Sequence, residues 1–276
     1  MNAFKKQCIN LRRSGHTLTE ITKITGRPKT SVYSHIHNIP LTKERLRLIK
    51  IASGIRAKNL ALAKKGTSKN TFYKFNKWNE ETVTLVAHLI FDGTINKTGC
   101  AYNNRNMSLI KAVEESMSSI YDYEPKRYLN NLTGVSRITY HNVALSNYLE
   151  SKAKKLLLEI ELLPKSLKKV FVRAFFNDEG CIDFRPKRNL RQIRGYQKNI
   201  SILHIIHNLL TDFQIESKIV TPNEIVIIGK NNLIQFRNEI NFSSGVKLNG
   251  KRSNSIWKKS LEKRALLDQA IKSFKN

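Results

Sequence analysis

Apolar positions along this chain fall into two regimes. Over residues 3–37 they form short helical stripes: Phe4, Cys8, Ile9 and Leu11, then Leu18, Ile21 and Ile24, then Val32 and Ile36. Ser14-Gly15 ends the first stripe, and Gly26 permits a sharp turn before the third. Thr17 stands three before Glu20, the spacing of a capping box, in which each side chain satisfies a backbone donor of the other. Pro28 suits the first turn of the third helix, where its missing N–H costs nothing. Three short helices are predicted. A helical stretch with sparse apolar points (Leu46, Ile49, Leu60, Leu62) follows over 42–65, and Gly66-Thr67-Ser68 breaks it. The segment to Lys77, rich in Lys, Asn and aromatics, reads as linker.

Beyond residue 79 one plan occurs twice. In the first copy, Val83, Leu85, Val86, Leu89 and Ile90 mark a helix over 80–91 that runs into Phe91-Asp92-Gly93. Strand-like stretches follow near 94–106, a helix over 107–120, strands near 125–131 and 135–141, and a helix over 143–158. In the second copy, Leu167, Val170, Val172, Ala174 and Phe175 mark a helix over 165–178 that runs into Asp178-Glu179-Gly180. Strands near 181–186 and 193–201, a helix over 202–213, strands near 217–221 and 224–229, and a helix over 231–239 follow. The predicted domains are 1–41, a basic helical linker over 42–78, 79–163, and 164–276 with a C-terminal helix.

The composition supports a packed core, with 40% hydrophobic residues, and no apolar run reaches membrane-spanning length. Net charge changes the picture most. Lys and Arg number 49 against 21 acids, a formal charge of +28. An excess of that size favours a polyanion, and nucleic acid fits better than a membrane because no lone basic amphipathic tail carries it. A solvated basic surface, or a protein that folds on RNA, is the bland alternative. Residues 1–78 hold 18 of the cations and two of the acids. Cys8, Cys100 and Cys181 are scattered with no metal-ligand spacing, so neither a zinc site nor a disulfide framework is expected. The basic start of the chain has no apolar signal core behind it. An intracellular protein acting on DNA is expected, whether in a prokaryotic or phage cytoplasm or an organelle matrix.

The outward face of the third helix carries Lys29, Thr30, Ser31, Tyr33, Ser34 and His35, side chains that can contact phosphates or base edges. The stretch LTEITKITGRPKTSVYSHI resembles the helix-turn-helix of resolvase-like and homeodomain-like regulators, which lay the second helix in a DNA major groove. A plain three-helix structural module has the same pattern.

In both copies an apolar helix ends in an acid and then Gly. Asp92 and Glu179 are 87 residues apart, and Ala87 and Ala174 each stand five before the acid. Small residues allow two helices to pair closely, which would bring both acids to one foot. Carboxylates held that close call for a divalent hard cation between them. Gly after each acid suits a helix C-cap with positive φ. Taken singly, each acid-Gly pair is an ordinary turn.

LVAHLIFDG (residues 85–93) and VRAFFNDEG (172–180) resemble the two motifs of a single-chain LAGLIDADG homing endonuclease. The second is close to the LRGFFDAEG form of that family. The first departs more, with His88 and Ile90 replacing the usual apolar and acidic residues. The resemblance spans roughly residues 79–265. It implies an α+β fold of two pseudo-symmetric αββαββα subdomains forming a DNA-binding saddle, here preceded by a small all-α helix-turn-helix domain. It also implies Mg2+, or another divalent cation, held at Asp92 and Glu179 with Gly93 and Gly180 beside them. Metal there would neutralise the scissile phosphates, activate a water and stabilise the leaving 3′ oxygen. INFSSGVKL nominates Lys247 as a catalytic basic residue, and an ordinary phosphate contact is its alternative role. Arg105, Arg127, Arg137, Arg185, Lys187, Arg188, Arg191 and Arg194 lie on or near the strands as candidate DNA contacts. His88 is read as a packing or local hydrogen-bonding residue, and His204 and His207 lack a third ligand.

The expected function is site-specific, metal-dependent double-strand DNA cleavage of the homing type, in an intron or intein setting, by a monomer without a membrane role. A non-cleaving DNA-binding transcriptional regulator and an intron RNA maturase are the alternatives. The last would make intron RNA a second partner.

Overall fold

The computed structural model describes residues 3–64, 71–250 and 258–274. The predicted break at Gly66-Thr67-Ser68 and the side chain of Leu62 lie outside the described residues. The chain divides into two compact units, Met1–Lys69 and Asn70–Asn276.

The first unit is all helical: α1 (Ala3–Arg13), α2 (Leu18–Thr25), α3 (Lys29–Ile36) and α4 (Lys43–Lys64). Cys8, Ile21, Val32 and Ile36 form its core, with Phe4, Leu11 and Leu18 packed around them. The Thr17–Glu20 capping box forms, and Gly26 takes the left-handed conformation (φ 64°) that closes α2. Ile24 departs from its expected inward place and is 52% exposed. α2 is only two turns long and fills the core with Ile21 and Leu18. Pro28 stands at the N-cap of α3, one place earlier than expected. The apolar points of α4, Leu46, Ile49 and Leu60, are exposed.

The second unit runs α5 (Glu80–Phe91), β1 (Gly93–Asn96), β2 (Gly99–Asn104), α6 (Met107–Ser118), β3 (Lys126–Asn130), β4 (Val135–Tyr140) and α7 (Val143–Glu159). It repeats as α8 (Lys165–Asp178), β5 (Gly180–Arg185), β6 (Leu190–Tyr196), α9 (Ile200–Asp212), β7 (Lys218–Val220), β8 (Glu224–Ile228) and α10 (Lys230–Glu239). α11 (Lys263–Lys272) follows. The fold is α+β, with two antiparallel four-stranded sheets ordered β1-β2-β4-β3 and β5-β6-β8-β7. The same order in each copy shows that the repeated pattern of apolar residues builds the same object twice. The stretch predicted near 94–106 is a hairpin, β1 to β2, and α9 begins two residues before its predicted start.

One face of each sheet packs on helices. Tyr102, Ile138 and Tyr140 lie buried on that face of the first sheet, and Ile182, Phe184, Ile193, Ile225 and Ile227 on that of the second. Phe75 joins this core, with Phe72 and Trp78 packed against it. These aromatics stand in the segment read from sequence as linker, and the Tyr148 hydroxyl bonds Phe75 O at 2.9 Å. No helix among the described residues is long and apolar enough to cross a membrane.

α5 and α8 pack against one another at the centre of this unit. Phe91 lies 5.3 Å from the rings of both Phe171 and Phe175. Asp92 and Glu179 are the C-caps of these helices, at nearly identical backbone angles (φ −102°, ψ 5° and φ −102°, ψ −6°). The glycines that follow correct an expectation: neither Gly93 nor Gly180 has positive φ. What each junction requires is close approach. A Cβ on Gly93 would lie 2.4 Å from Leu89 Cα, and one on Gly180 would lie 2.4 Å from Phe176 O. The strand folds straight back on the helix it leaves, and only hydrogen fits between them.

Gly93→Ala and Gly180→Ala are each expected to destabilise the unit by about 3 kcal/mol, the upper range for forced overpacking, because the atoms struck are backbone. Urea denaturation reads this directly. A loss below about 1 kcal/mol in both would show that the junctions have slack.

Candidate functional site

The helix ends deliver Asp92 and Glu179 to one cleft of about 690 Å3, bordered by residues of both copies. Both carboxyls are half-buried. Burial, and then the charge of Asp178, push Asp92 up to about 7. Burial, and then the charges of Asp92 and Asp178, push Glu179 up to about 7. A helix C-terminus adds its own unfavourable partial charge.

Around these acids lies a polar network. The Asp178 side chain is fully enclosed and His88 is 3% exposed. His88 Nδ1 lies 2.7 Å from Asp178 Oδ2, and its N–H donates across the helix pair. The Tyr102 hydroxyl donates to Asp178 Oδ1 at 2.6 Å. Asn104 Nδ2 donates to Asp92 Oδ2 at 2.9 Å and to the Tyr102 hydroxyl at 3.2 Å. Below them Lys263 is buried, and its Nζ donates to Phe176 O (3.0 Å) and Asn177 O (2.7 Å). It thereby caps the last carbonyls of α8, which the helix leaves unpaired, with charge of the favourable sign. Burial draws its pKa down to about 8, against the pull of nearby acids.

Strand register sorts the candidate cations, because directly opposed residues share a sheet face. Arg137, opposite Asn103 and Tyr128, lies on the open face of the first sheet. Arg185 and Arg194 lie on the open face of the second, each bonded to Asp183, and Arg194 also pairs with Glu224. Arg105, Arg185, Arg194 and Lys247 line the cleft with the acids. Lys187 and Arg188 are exposed in the turn between β5 and β6. Two arginines turn the other way. Arg127 is opposite the buried Ile138 and pairs with Glu114 and Glu124. Arg191 is opposite Phe184, donates to Ser273 Oγ (2.6 Å) and covers the Phe274 ring. Both hold structure on the helix side.

In the first unit, Lys29, Thr30, Ser31, Tyr33 and Ser34 are exposed on α3, whereas His35 is half-buried against the Phe4 ring (5.4 Å). Ala87 and Ala174 are buried on α5 and α8. His207 is engaged by Ser217 at 2.8 Å. Lys247 is exposed at the cleft, on the segment that follows α10.

The donors present suit a hard divalent cation: two carboxylates whose charges burial and proximity make unfavourable. Among the described residues no group of three or more His, Cys, Asp or Glu forms a metal cage. Backbone carbonyls, as at Gly93 and Gly180, together with water and phosphate oxygens, would complete the shell, as Mg2+ commonly requires. Asp178 is spent on three donors: His88, the Tyr102 hydroxyl and, at 3.5 Å, Asn104 Nδ2.

Asp178, Tyr102, Asn104 and Lys263 escaped sequence reasoning. A signal existed for the first. Asp178 stands where the family form LRGFFDAEG has Ala, and His88 where it has an apolar residue. Two polar departures on facing helices turn out to be each other's partner. Tyr102 and Asn104 share one face of β2 by strand alternation, but nothing in the sequence aims that face at the acids. Nothing local marked Lys263.

No protein-family model and no curated protein matches the chain. Solved structures do. Mesophilic variants of the homing endonuclease I-DmoI share 16% identity over 60% of this chain and 91% of theirs, with a TM-score of 0.44. The N-terminal LAGLIDADG domain of DUF199/WhiA shares 12% over 61% and 86%, TM-score 0.44. Full-length DUF199/WhiA from Thermatoga maritima shares 12% over 73% and 63%, TM-score 0.48. Likeness at this level says nothing of what this chain binds.

Two outcomes follow from the network. His88→Leu alone leaves a buried carboxyl short of a partner and is expected to cost about 3–5 kcal/mol. Adding Asp178→Ala, which removes the unpaired carboxyl but also the acceptor of the Tyr102 hydroxyl, is expected to recover part of that loss in urea denaturation. Strict additivity of the two single losses would deny the pair any coupling. The second concerns pH. Both acids hold folded pKa values near 7, above the ordinary range near ~4. Without a divalent cation their contribution to stability is therefore full below that range and lost as pH rises through about 7. Thermal melts are expected to show Mg2+ stabilising the protein more at about pH 8 than at about pH 5.5. Equal stabilisation at both would remove these carboxyls as the cation's site.

Proposed function

We propose that this chain is a site-specific double-strand DNA endonuclease of the homing type, dependent on a divalent cation such as Mg2+. The observation that carries this reading is the pairing of Asp92 and Glu179, one from each copy, in a single cleft bordered by arginines of the open sheet faces. Regulators and structural nucleic-acid binders need cations at such a face. They have no need of two half-buried carboxyls raised to about 7.

Each part has a role on this reading. Arg105, Arg185, Arg194 and Lys247 meet phosphates at the cleft, and Arg137, Lys187 and Arg188 extend the contact along the sheets. Arg185 and Arg194 are held in place by Asp183, so they present ordered guanidiniums suited to phosphate or guanine edges. Asp92 and Glu179 would hold the cation, which when bound supplies charge neutralisation at the phosphate and a more acidic water. Asn104 orients Asp92, and Lys263 fixes the end of α8 from which Glu179 projects. Both acids lie on one chain, so a monomer suffices and the target need not be symmetric. The exposed face of α3 adds a second DNA contact of helix-turn-helix type. Arg127 and Arg191 are left out of the contact set because they lie on the helix side of their sheets, and His35 because it is half-buried against Phe4.

The test is cleavage of DNA flanking the gene with Mg2+, comparing wild type with Asp92→Asn and Glu179→Gln. Each substitution is expected to lower the rate by more than the roughly 10- to 100-fold that loss of an outer partner costs a metal site. DNA affinity without Mg2+ should hold or rise. Binding without cutting by wild type would leave the non-cleaving regulator, and preference for intron RNA would leave the maturase. Normal cutting by both variants would overturn the site.

A further inference from the structure

The cleft contains an amide bridge that joins the two copies. Asn104 ends β2 and is 8% exposed. Its Nδ2 donates to Asp92, and its Oδ1 accepts from Asn106 N at 2.9 Å and from Asn106 Nδ2 at 3.3 Å. Asn106 Oδ1 accepts from Lys247 N at 2.8 Å, and Asn106 Nδ2 reaches Lys247 O at 3.4 Å. An unbroken path thus runs Asp92–Asn104–Asn106–Lys247, crossing 141 residues of sequence at its last step.

The chemistry of the path allows one orientation. Turning the Asn104 amide over would set its oxygen against the Asp92 carboxylate and its NH2 against the Asn106 N–H. Asp at either position would place an acceptor where a donor is required. The segment bearing Lys247 is anchored by other means as well. Val246 is fully buried, Ser243 exchanges two hydrogen bonds with Asn177, and Lys263 N donates to Val246 O at 2.8 Å. Those anchors hold the segment to the second copy. The two asparagines tie the Lys247 backbone to the acid of the first.

The geometry points to Asn104 and Asn106 as positioning residues: Asn104 sets the Asp92 carboxylate for its cation, and Asn106 sets Lys247 beside it. The bridge makes one centre of groups that come from opposite ends of the unit. This inference rests on the proposed cation-dependent cleavage, and its test separates the two.

The first arm is calorimetric titration of the full chain with Mn2+. Asn104→Ala is expected to weaken binding about 10- to 100-fold, as loss of an outer partner does. Asn104→Ser, which keeps a smaller donor, carries the same titration should the Ala variant not fold. The second arm is cleavage kinetics. Asn106→Ala is expected to lower kcat about tenfold with KM unchanged, and to add nothing in a Lys247→Met background, because it acts through Lys247. Mn2+ affinity within twofold of wild type in the Asn104 variant, or multiplying effects of Asn106→Ala and Lys247→Met, would overturn the inference. If wild type binds Mn2+ but does not cut, the cleavage reading fails and the first arm still decides the role of Asn104. If wild type does not bind Mn2+ at all, both fail.

Discussion

Two half-buried carboxyls, one at the end of each paired helix, are the feature around which the second unit is arranged. Asp92 and Glu179 are delivered to one place by the packing of α5 on α8, and burial, followed by the charge of Asp178 on both and of Asp92 on Glu179, raises both to about 7. Everything near them serves that convergence. The glycines after each acid let the strands fold back on the helices, Lys263 closes the open carbonyls of α8, and Asn104 orients the first acid. The sheets carry cations on their open faces, which answers the surplus of negative charge that a nucleic acid would bring.

The two copies share a plan but not an economy. The first copy supplies Asp92, Asn104 and Tyr102 from one face of α5 and β2. The second supplies Glu179, and also Asp178, at the position that Phe91 takes in the first, together with Lys263 and Lys247. Asp178 is the clearest asymmetry. It sits in the helix interface, takes hydrogen bonds from His88 and Tyr102, and adds its charge to both neighbouring acids. A buried pair of this kind contributes little net stability compared with an apolar interface. Its consequence is specificity, because His88 meets Asp178 in one register of the helix pair only.

Much of this was legible in the sequence, for physical reasons. Helical and alternating apolar periods report burial, so the elements from α5 to α10 and their duplication could be read closely, the furthest out being the strand expected near 193–201, which runs Leu190–Tyr196. The acid-Gly pairs marked the helix ends because their spacing from Ala87 and Ala174 matches. What escaped was what depends on the third dimension. Arg127 and Arg191 are cations on strands like Arg137 and Arg194, but their register turns them toward the helices. Lys263 lies far along the chain from the helix it caps. Positive φ was the wrong reason for Gly93 and Gly180, since close approach leaves no mark in sequence that distinguishes it from a left-handed turn.

The most direct test of the convergence of Asp92 and Glu179 on one cation is anomalous diffraction from crystals grown with Mn2+. The expected result is a Mn2+ peak in contact with carboxylate oxygens of both Asp92 and Glu179, lost in the Glu179→Gln variant. A Mn2+ peak on other residues, with none between these two acids, would contradict the account.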